Sequence, residues 1–277
     1  MFTLNCNGRL LVVDKPLVMG IINATPDSFY GGSRFSGPDR ILVQAEKMIT
    51  EGADIIDIGG QSTRPGSEQI SADGELSRIV ESIAAIHQKF PGTLISVDTY
   101  YSIVAKRCVE SGASIVNDVS GGTMDKDMLT TVAALQVPYV AMHMKGTPKT
   151  MQQLASYENV TREVLDYFIA KKNECRIAGI NDVIIDPGFG FAKTIGHNFQ
   201  LLKDLSVFKM LDVPLLAGLS RKSSIYKTLD ISSEEALNGT TVLNTIALMN
   251  GADILRVHDV KEAKEAVRLL VALNNVK

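Results

Sequence analysis

The chain has 277 residues, of which 45% are hydrophobic and 21% charged, so it contains enough apolar surface to bury a core. Its length permits either two domains or one α/β barrel of ordinary size. The net charge of -3 and the pI near 5.9 leave no excess positive charge, which excludes a general nucleic-acid or membrane-surface binder.

The first predicted element is a hairpin. The stretch TLNCNGRLLVV places Asn7-Gly8 between two short runs, a pair typical of a tight turn between antiparallel strands. Short β-branched runs then recur along the rest of the chain. They predict eight buried strands, near Val18–Asn23, Ile55–Gly59, Leu94–Thr99, Ile115–Val119, Tyr139–Met144, Val183–Asp186, Leu215–Leu219 and Ile254–His258.

Helical segments separate these strands. The segment Asp39–Thr50 has Ile41, Ala45 and Met48 at helical spacing. A second segment, Ser232–Asn250, opens with a capping box formed by its first residue and the glutamate three positions later.

One unit repeats: a helix, a glycine, then a strand. It is visible in EGADIIDIGG, SGASIVNDVS, AGINDVIIDPG and NGADILRVHD, where the glycine suits the left-handed position after a helix. Eight parallel strands alternating with helices predict a single eight-stranded β/α (TIM) barrel over residues 1–277, with the N-terminal hairpin capping its bottom. A doubly wound open sheet is the alternative, but no GxGxxG follows the first strand.

Polar residues follow every predicted strand. Because active sites of such barrels lie at the carboxyl ends of the strands, these residues are expected to share one rim. Taken singly, Asp118, His143 and Asp259 are better explained as loop or cap residues. The other polar positions of the rim are Asn23, Thr63, Arg64, Asp98, Asn117, Asp186, Arg221, Lys222, Arg256 and His258, and Met142 ends the fifth strand.

The rim combines two chemistries. Arg64, Lys222, Arg256 and His258 suit an anion, as do the helix N-termini expected within the strand-to-helix junctions LSRKSS and VHDVKEA. Carboxylates and amides suit the donor edge of a flat heterocycle. The substrate should therefore be both heteroaromatic and phosphorylated. The stretch GGQSTRPGSE, residues 59–68, is either a simple turn or the support for an anion-binding arginine.

Other motifs are weaker. GFGFAKT, residues 188–194, has Pro187 and Ala192 where a phosphate loop needs glycines. Four scattered histidines make a zinc site improbable, and GxSxG is absent. Three widely spaced cysteines and the lack of a signal-like or membrane-length segment predict a reduced, cytoplasmic protein.

The blocks GIINATPDSF, DIGGQSTRPG, SVDTY, NDVSGG, MHMKGTP, DPGFGFAKT, GLSRKS and RVHDV resemble those of the dihydropteroate synthases, in the same order over nearly the whole chain. That family, within the pterin-binding barrels, joins para-aminobenzoate to hydroxymethyl-dihydropterin pyrophosphate, giving dihydropteroate and pyrophosphate.

The resemblance implies a role for particular residues. Asn23, Lys222, Arg256 and His258 would be the catalytic group, with Asn23 acting through Mg²⁺. The pterin would be held by Asp98, Asn117, Met142, Asp186 and Lys222; the pyrophosphate by Asn23, Arg64, Arg256 and His258; and para-aminobenzoate by Thr63, Arg64, Pro65, Phe191 and Ser223.

Three positions depart from the usual family pattern: the acid expected after Tyr30 is missing, Gln61 replaces a commoner Glu, and Ala192 replaces a commoner Gly.

Two alternative functions remain at this point, a pterin-dependent methyltransferase acting on a corrinoid and a non-catalytic pterin-binding paralogue. Since residues 236–250 carry no charge, we also expect a homodimer formed through the last helices.

Overall fold

A computed structural model describes residues 1–25, 37–62 and 67–276. Eight parallel strands form one sheet in the order β8-β7-β6-β5-β4-β3-β10-β9, and a parallel bridge between Ile185 and Leu215 brings the two edges together. The predicted eight-stranded barrel is confirmed. Its strands are β3 (Leu17–Asn23), β4 (Ile55–Gly59), β5 (Leu94–Asp98), β6 (Ile115–Asp118), β7 (Tyr139–Met142), β8 (Val183–Asp186), β9 (Leu216–Ala217) and β10 (Ile254–Val257).

Helices surround the barrel. In the first of them Ile41, Ala45 and Met48 are buried, as their spacing predicts. The glycines at 52, 112, 179 and 251 all have positive φ, so the repeated unit predicted from sequence is present at each of its four occurrences. The helices are α1 (Gly37–Thr50), α2 (Ala72–Lys89), α3 (Ser102–Glu110), α4 (Met128–Leu135), α5 (Val160–Ala178), α6 (Ile195–Lys203), α7 (Ser223–Leu229), α8 (Leu237–Met249) and α9 (Val260–Asn274), with short 3₁₀ helices at Met151–Leu154 and Leu205–Leu211.

The predicted start of α8 is wrong. Ser232 and Glu235 do exchange hydrogen bonds, with the Ser232 backbone N–H 3.0 Å from Glu235 Oε2 and the Glu235 N–H 3.4 Å from Ser232 Oγ. These bonds close a separate turn, however, and the helix begins only at Leu237. The capping-box sequence therefore correctly indicates the hydrogen bonds of one turn. It does not determine whether a helix continues from that turn, because the continuation also depends on packing.

The N-terminal hairpin covers the bottom of the barrel. Strands β1 (Phe2–Cys6) and β2 (Arg9–Val13) pair antiparallel, and Asn7 and Gly8 between them both have positive φ. Leu4, Cys6 and Val13 pack on the lowest layer inside the barrel. That layer consists of Leu17, Met19, Ile55, Leu94, Ile115, Val140, Ile184, Leu216 and Ile254.

Strand periodicity carries the polar residues to the top of the same inner face. Side chains two residues apart point to the same side of a strand, so Asp57 lies above Ile55 and Asp98 lies two positions above Ser96. The alternate side chains of these strands, such as Ile56 and Val97, face outward and pack against the helices. The barrel interior thus has an apolar floor and a polar upper layer. Within the described residues, no helix has the length and apolar character needed to cross a membrane.

Candidate active site

Arg256 connects three strands across the inside of the barrel. From β10 its Nε donates to Asp57 Oδ2 on β4 at 2.6 Å, and its Nη2 donates to Asp98 Oδ2 on β5 at 2.5 Å. Burial disfavours the charged guanidinium, but the two carboxylates outweigh that cost and raise the pKa of Arg256. Its planar fork is therefore held in one orientation at the floor of the polar layer.

Several buried carboxylates surround the single positive charge of Arg256. The pKa of Asp98 is raised to about 7, chiefly by burial; Arg256 acts to lower it, and the neighbouring Asp57, Asp118 and Asp186 add to the increase. Asn117 on β6 donates from Nδ2 to Asp57 Oδ2 at 3.1 Å. Asp57 Oδ1, although buried, has no hydrogen-bond partner among the described residues. This carboxyl oxygen is an acceptor that the described side chains leave unused.

Asp186 and Lys222 form the opposite wall of the site. Asp186, at the end of β8, accepts a 2.8 Å bond at Oδ1 from the Gly188 N–H. Burial raises its pKa, while Lys222 acts to lower it. Burial in turn lowers the pKa of Lys222 to about 8, and Asp186 acts to raise it. The pair thus places a carboxylate and an ammonium beside each other in a site of restricted water access.

Gly218 lies beside that pair. A methyl group added at Gly218 would lie 3.7 Å from Lys222 Nζ and 3.8 Å from Asp186 Oδ2. A larger side chain at this position would therefore meet both charged groups.

Apolar side chains border the same site. Met142, at the end of β7, is buried with Tyr100 and Val119, and Phe191 packs against this cluster. The ammonium of Lys222 lies 4.8 Å from the centre of the Phe191 ring and donates to the Phe189 carbonyl. Lys222 therefore stands between the polar wall and an aromatic surface.

The remaining part of the rim is suited to an anion. Asn23 ends β3 half-buried, and His258 is exposed just beyond β10. The His258 ring contacts Ser220 Oγ at 3.0 Å through Nδ1, and its backbone N–H donates to the same hydroxyl at 3.2 Å. Helix α9 begins two residues after His258, and Ser223 opens α7 on the neighbouring strand connection. Their N-terminal N–H groups add partial positive charge at this edge.

The stretch GGQSTRPGSE is fastened at both ends by Gln61. Its Nε2 donates to the carbonyls of Ser62 at 2.9 Å and Glu68 at 3.0 Å, and its Oε1 accepts from the Ile70 N–H at 2.9 Å. A glutamate carboxylate at this position could not donate the first two bonds, so the replacement of the commoner Glu by Gln61 supplies them. Thr63, Arg64 and Pro65, like Phe29 and Gly31, lie outside the described residues.

Two of the rim carboxylates serve the loops around them. Asp118 accepts bonds from the backbone N–H groups of Ser120 and Gly122, each at 2.7 Å, and from the Tyr139 hydroxyl at 2.8 Å. Asp259 holds the Arg221 guanidinium with both oxygens, at 2.8 and 2.9 Å. These contacts agree with an interpretation of both carboxylates as loop residues, and the Asp259 side chain makes no capping bond to α9. The pairing with Asp259 also engages the Arg221 guanidinium, so Arg221 is not assigned to ligand binding.

Sequence reasoning missed several residues that shape the site. Asp57 is the most central of them, and its signal was an acid within the otherwise apolar run ADIIDI. Ser220, which supports His258, and Lys193, which lies buried behind the β8 wall, were also missed. Ala192, where the family usually has Gly, adopts a φ of 49°, which explains why glycine is favoured there.

Comparison with known proteins bears on this geometry. Residues 19–258 match the family described as "Pterin binding enzyme". Dihydropteroate synthase of Escherichia coli K12 is 42% identical over 272 residues, covering 98% of this chain and 96% of that protein. The structure of Xanthomonas albilineans dihydropteroate synthase with 4-aminobenzoic acid superposes with a TM-score of 0.94 at 37% identity, covering 99% of both chains. Its complex with 7,8-dihydropteroate gives 0.91 at 35% identity and covers all of both chains.

Proposed function

The chain belongs to the pterin binding enzyme family, and from this premise we propose how its polar layer carries out the reaction. Its activity is that of a dihydropteroate synthase: it condenses hydroxymethyl-dihydropterin pyrophosphate with para-aminobenzoate, giving dihydropteroate and pyrophosphate in folate synthesis. The observation that carries the assignment of roles is the inner layer in which Arg256 joins Asp57 and Asp98 opposite Asp186. Neither the corrinoid methyltransferase nor the non-catalytic paralogue is favoured by an observation of this kind.

The pterin is held between the two polar walls. Asp186 accepts from the ring N–H and amino group of the pterin edge, since the Gly188 N–H occupies its Oδ1 and Oδ2 lies on the side of Gly218. Asn117 and Asp98 supply further polar contacts from β6 and β5, while Lys222 donates to a ring acceptor. Met142 contributes an apolar contact. Asp57 fixes Arg256 through Oδ2, while its Oδ1 has no hydrogen-bond partner among the described residues.

The pyrophosphate lies at the anion-binding edge. Arg256, His258 and the N-terminus of α9 stabilise the negative charge there, together with Arg64, whose position is outside the described residues. Within the described part of the chain no group of three His, Cys, Asp or Glu side chains could cage a metal ion by itself. Mg²⁺ characteristically takes one or two protein oxygens and completes its shell with phosphate and water. The Asn23 amide oxygen fits that role, and Mg²⁺ would neutralise charge on the leaving pyrophosphate.

The substitution breaks the bond between the pterin methylene carbon and the pyrophosphate oxygen, and the electron pair leaves with pyrophosphate. Electron donation from the dihydropterin ring stabilises the developing cation at the methylene. The para-aminobenzoate nitrogen then forms the new bond and loses a proton. Such a dissociative path needs no strong general base. Consistent with this, His143 near the rim is buried, and burial together with Lys193 lowers its pKa to about 2, so it is not poised as a base.

Para-aminobenzoate binds on the aromatic side of Lys222. Its ring packs against Phe191, and its carboxylate faces Ser223 at the start of α7. Thr63, Arg64 and Pro65 complete this pocket in the proposal. The X. albilineans relative with bound 4-aminobenzoic acid supports a second-substrate site in this fold.

We expect para-aminobenzoate to bind the free enzyme weakly and to bind measurably once pyrophosphate and Mg²⁺ are present. The anion would sit between Arg256 and His258 and attract Arg64, so the second pocket is completed after the first substrate binds. Equilibrium dialysis of labelled para-aminobenzoate, with and without pyrophosphate and Mg²⁺, measures the difference. Equal affinity in the two conditions would contradict this order of binding. Residues 59–68 would then be better interpreted as a simple turn.

The chain is proposed to act as a homodimer joined through its last helices. Helices α8 and α9 pack side by side, yet Met249 on α8 and Leu269 on α9 remain 66% and 72% exposed. Val242 and Leu273 are exposed on the same two helices. The final helix therefore leaves much of the uncharged surface of α8 open, and a second copy would cover it.

Light scattering at micromolar concentration is expected to give twice the 30.0 kDa chain mass. Replacing Val242 with Glu places a charge in the proposed contact, and we expect this variant to dissociate while retaining its fold by circular dichroism. A wild-type mass equal to one chain would refute the dimer.

We also propose that the protein is cytoplasmic and that residues 1–277 form a single domain. All three cysteines are free and buried, which suits a reducing compartment. The hairpin and the barrel floor form one apolar cluster, so the N-terminal segment is part of the barrel domain.

A further inference from the structure

Lys193, within GFGFAKT, points into the protein. Its side chain is buried, and Nζ lies 3.0 Å from each of His143 Nδ1, Gly188 O and Phe191 O, and 3.3 Å from His143 O. Three of these atoms are carbonyl oxygens, which only accept, and the His143 ring nitrogen accepts when its proton is on Nε2. A protonated ammonium offers three N–H donors to this set. The lysine is therefore surrounded by carbonyl oxygens, whereas a phosphate loop surrounds its ligand with N–H donors.

The same residues that hold Lys193 also hold Asp186. The Gly188 N–H donates to Asp186 Oδ1 at 2.8 Å, and the His143 N–H donates to the Asp186 carbonyl at 3.0 Å. Packing at this point is tight, because a Cβ added to Gly188 would come within 2.1 Å of the His143 carbonyl oxygen. Lys193 thus links the connections that follow β7 and β8, directly behind Asp186, the carboxylate proposed to bind the pterin. Phe191, on the para-aminobenzoate side, is held by the same ammonium.

The charge of Lys193 has no carboxylate in contact with it among the described ion pairs. Burial lowers its pKa to about 7, Asp186 acts to raise it, and Lys222 and Lys145 act to lower it. Burial raises the pKa of Asp186, while Lys222, the Gly188 N–H, Arg256 and, least of these four, Lys193 act to lower it. Burial, Lys193 and Lys145 keep His143 neutral, with Nδ1 as the acceptor. His197 on α6 also lies in this field, and burial, Lys193 and Lys145 lower its pKa.

We propose that Lys193 is a positioning residue for the pterin: its ammonium bonds the carbonyls of the connections after β7 and β8, and so fixes Asp186 and places positive charge behind the carboxylate that receives the pterin edge. This inference rests on the proposed contact between Asp186 and the pterin. It assigns an electrostatic role to a lysine that touches neither substrate.

The test is Lys193→Met, which keeps the length of the side chain and removes its charge. Calorimetric titration with hydroxymethyl-dihydropterin is carried out from about pH 5 to about pH 9. Binding needs ionised Asp186, so affinity falls as the pH drops through the pKa of that carboxyl group. Removing a nearby cation raises this pKa, so the midpoint should move upward, with weaker binding at neutral pH. A purely structural role would weaken binding by one factor at every pH, and an unmoved midpoint would overturn the proposal.

Lys171→Met is the matched control. Lys171 on α5 is also buried but pairs with Glu174, so its loss should lower the melting temperature and leave the pterin midpoint in place. Movement of the midpoint in this control to the same extent would also overturn the proposal, because the shift would then follow from losing any buried lysine.

A second measurement covers the case in which Lys193→Met fails to fold. Linkage is reciprocal, so Asp186→Asn should lower the pKa of Lys193, read from its ¹³Cε resonance in the otherwise intact enzyme. An unchanged Lys193 titration would overturn the coupling. If Asp186→Asn binds pterin like the wild type, the proposed role of Asp186 is wrong; if it loses binding while the Lys193 variant keeps its midpoint, only the present inference is wrong.

Discussion

Asp186→Asn is expected to weaken pterin binding by about 2–3 kcal/mol, or roughly 30- to 150-fold in Kd. The amide can still accept the Gly188 N–H through Oδ1, so the local loop bond survives. At the other position it presents an NH₂ donor to a ligand edge that itself donates, and the charge is lost. Calorimetric titration of the folded variant with pterin measures the effect.

Asp118→Asn is the matched control, because Asp118 is another buried carboxylate at a strand end. Its oxygens receive two backbone N–H groups and a tyrosine hydroxyl, so the amide leaves a donor facing donors. We expect a loss of stability of about 1–3 kcal/mol with pterin affinity unchanged. Should Asp186→Asn show this same pattern, Asp186 would be a loop residue and its assignment to the pterin would fail.

Arg256→Lys is expected to reduce kcat/KM by about 10²–10³-fold, as when one group stabilising developing negative charge is removed. Lysine keeps the positive charge but has no planar fork, so it cannot contact Asp57 and Asp98 together and still face the leaving group. Because the carboxylates keep a cation nearby, the variant should fold. Steady-state kinetics of dihydropteroate formation give the value.

The same substitution at Arg221 is the matched control, because it distinguishes a catalytic role of an arginine from a role in holding loops together. Arg221 also uses its fork on a carboxylate, Asp259, and on the carbonyls of Ser233 and Glu234. Arg221→Lys should therefore lower the melting temperature while kcat/KM stays near the wild-type value. Wild-type kcat/KM in Arg256→Lys would show that the inner guanidinium is dispensable for the reaction.

The barrel could be predicted because its signals are local and repeated. Each glycine that ends a helix requires a positive φ, and a short run rich in Ile, Val and Leu follows it at once. The rim could be predicted because parallel strands bring their carboxyl ends together, so residues far apart in sequence become neighbours. Asp98 and Arg256 illustrate this: they are 158 residues apart and form an ion pair.

Contacts across the barrel interior were beyond sequence reasoning. Asp57 lies in mid-strand, and only the three-dimensional arrangement brings it to Arg256 and Asn117. Lys193 sits in a surface-like sequence yet turns inward, because carbonyl groups of two connections surround its ammonium. Periodicity tells which side chains share a face, but not which of them meet.

The most direct test of the account is a coupled assay of the purified chain with hydroxymethyl-dihydropterin pyrophosphate and Mg²⁺, with and without para-aminobenzoate. Pyrophosphate and dihydropteroate are both quantified over time. We expect para-aminobenzoate to accelerate pyrophosphate release, and we expect the two products then to appear in equal amounts. Pyrophosphate release that is indifferent to para-aminobenzoate, or no dihydropteroate with both substrates present, would contradict it.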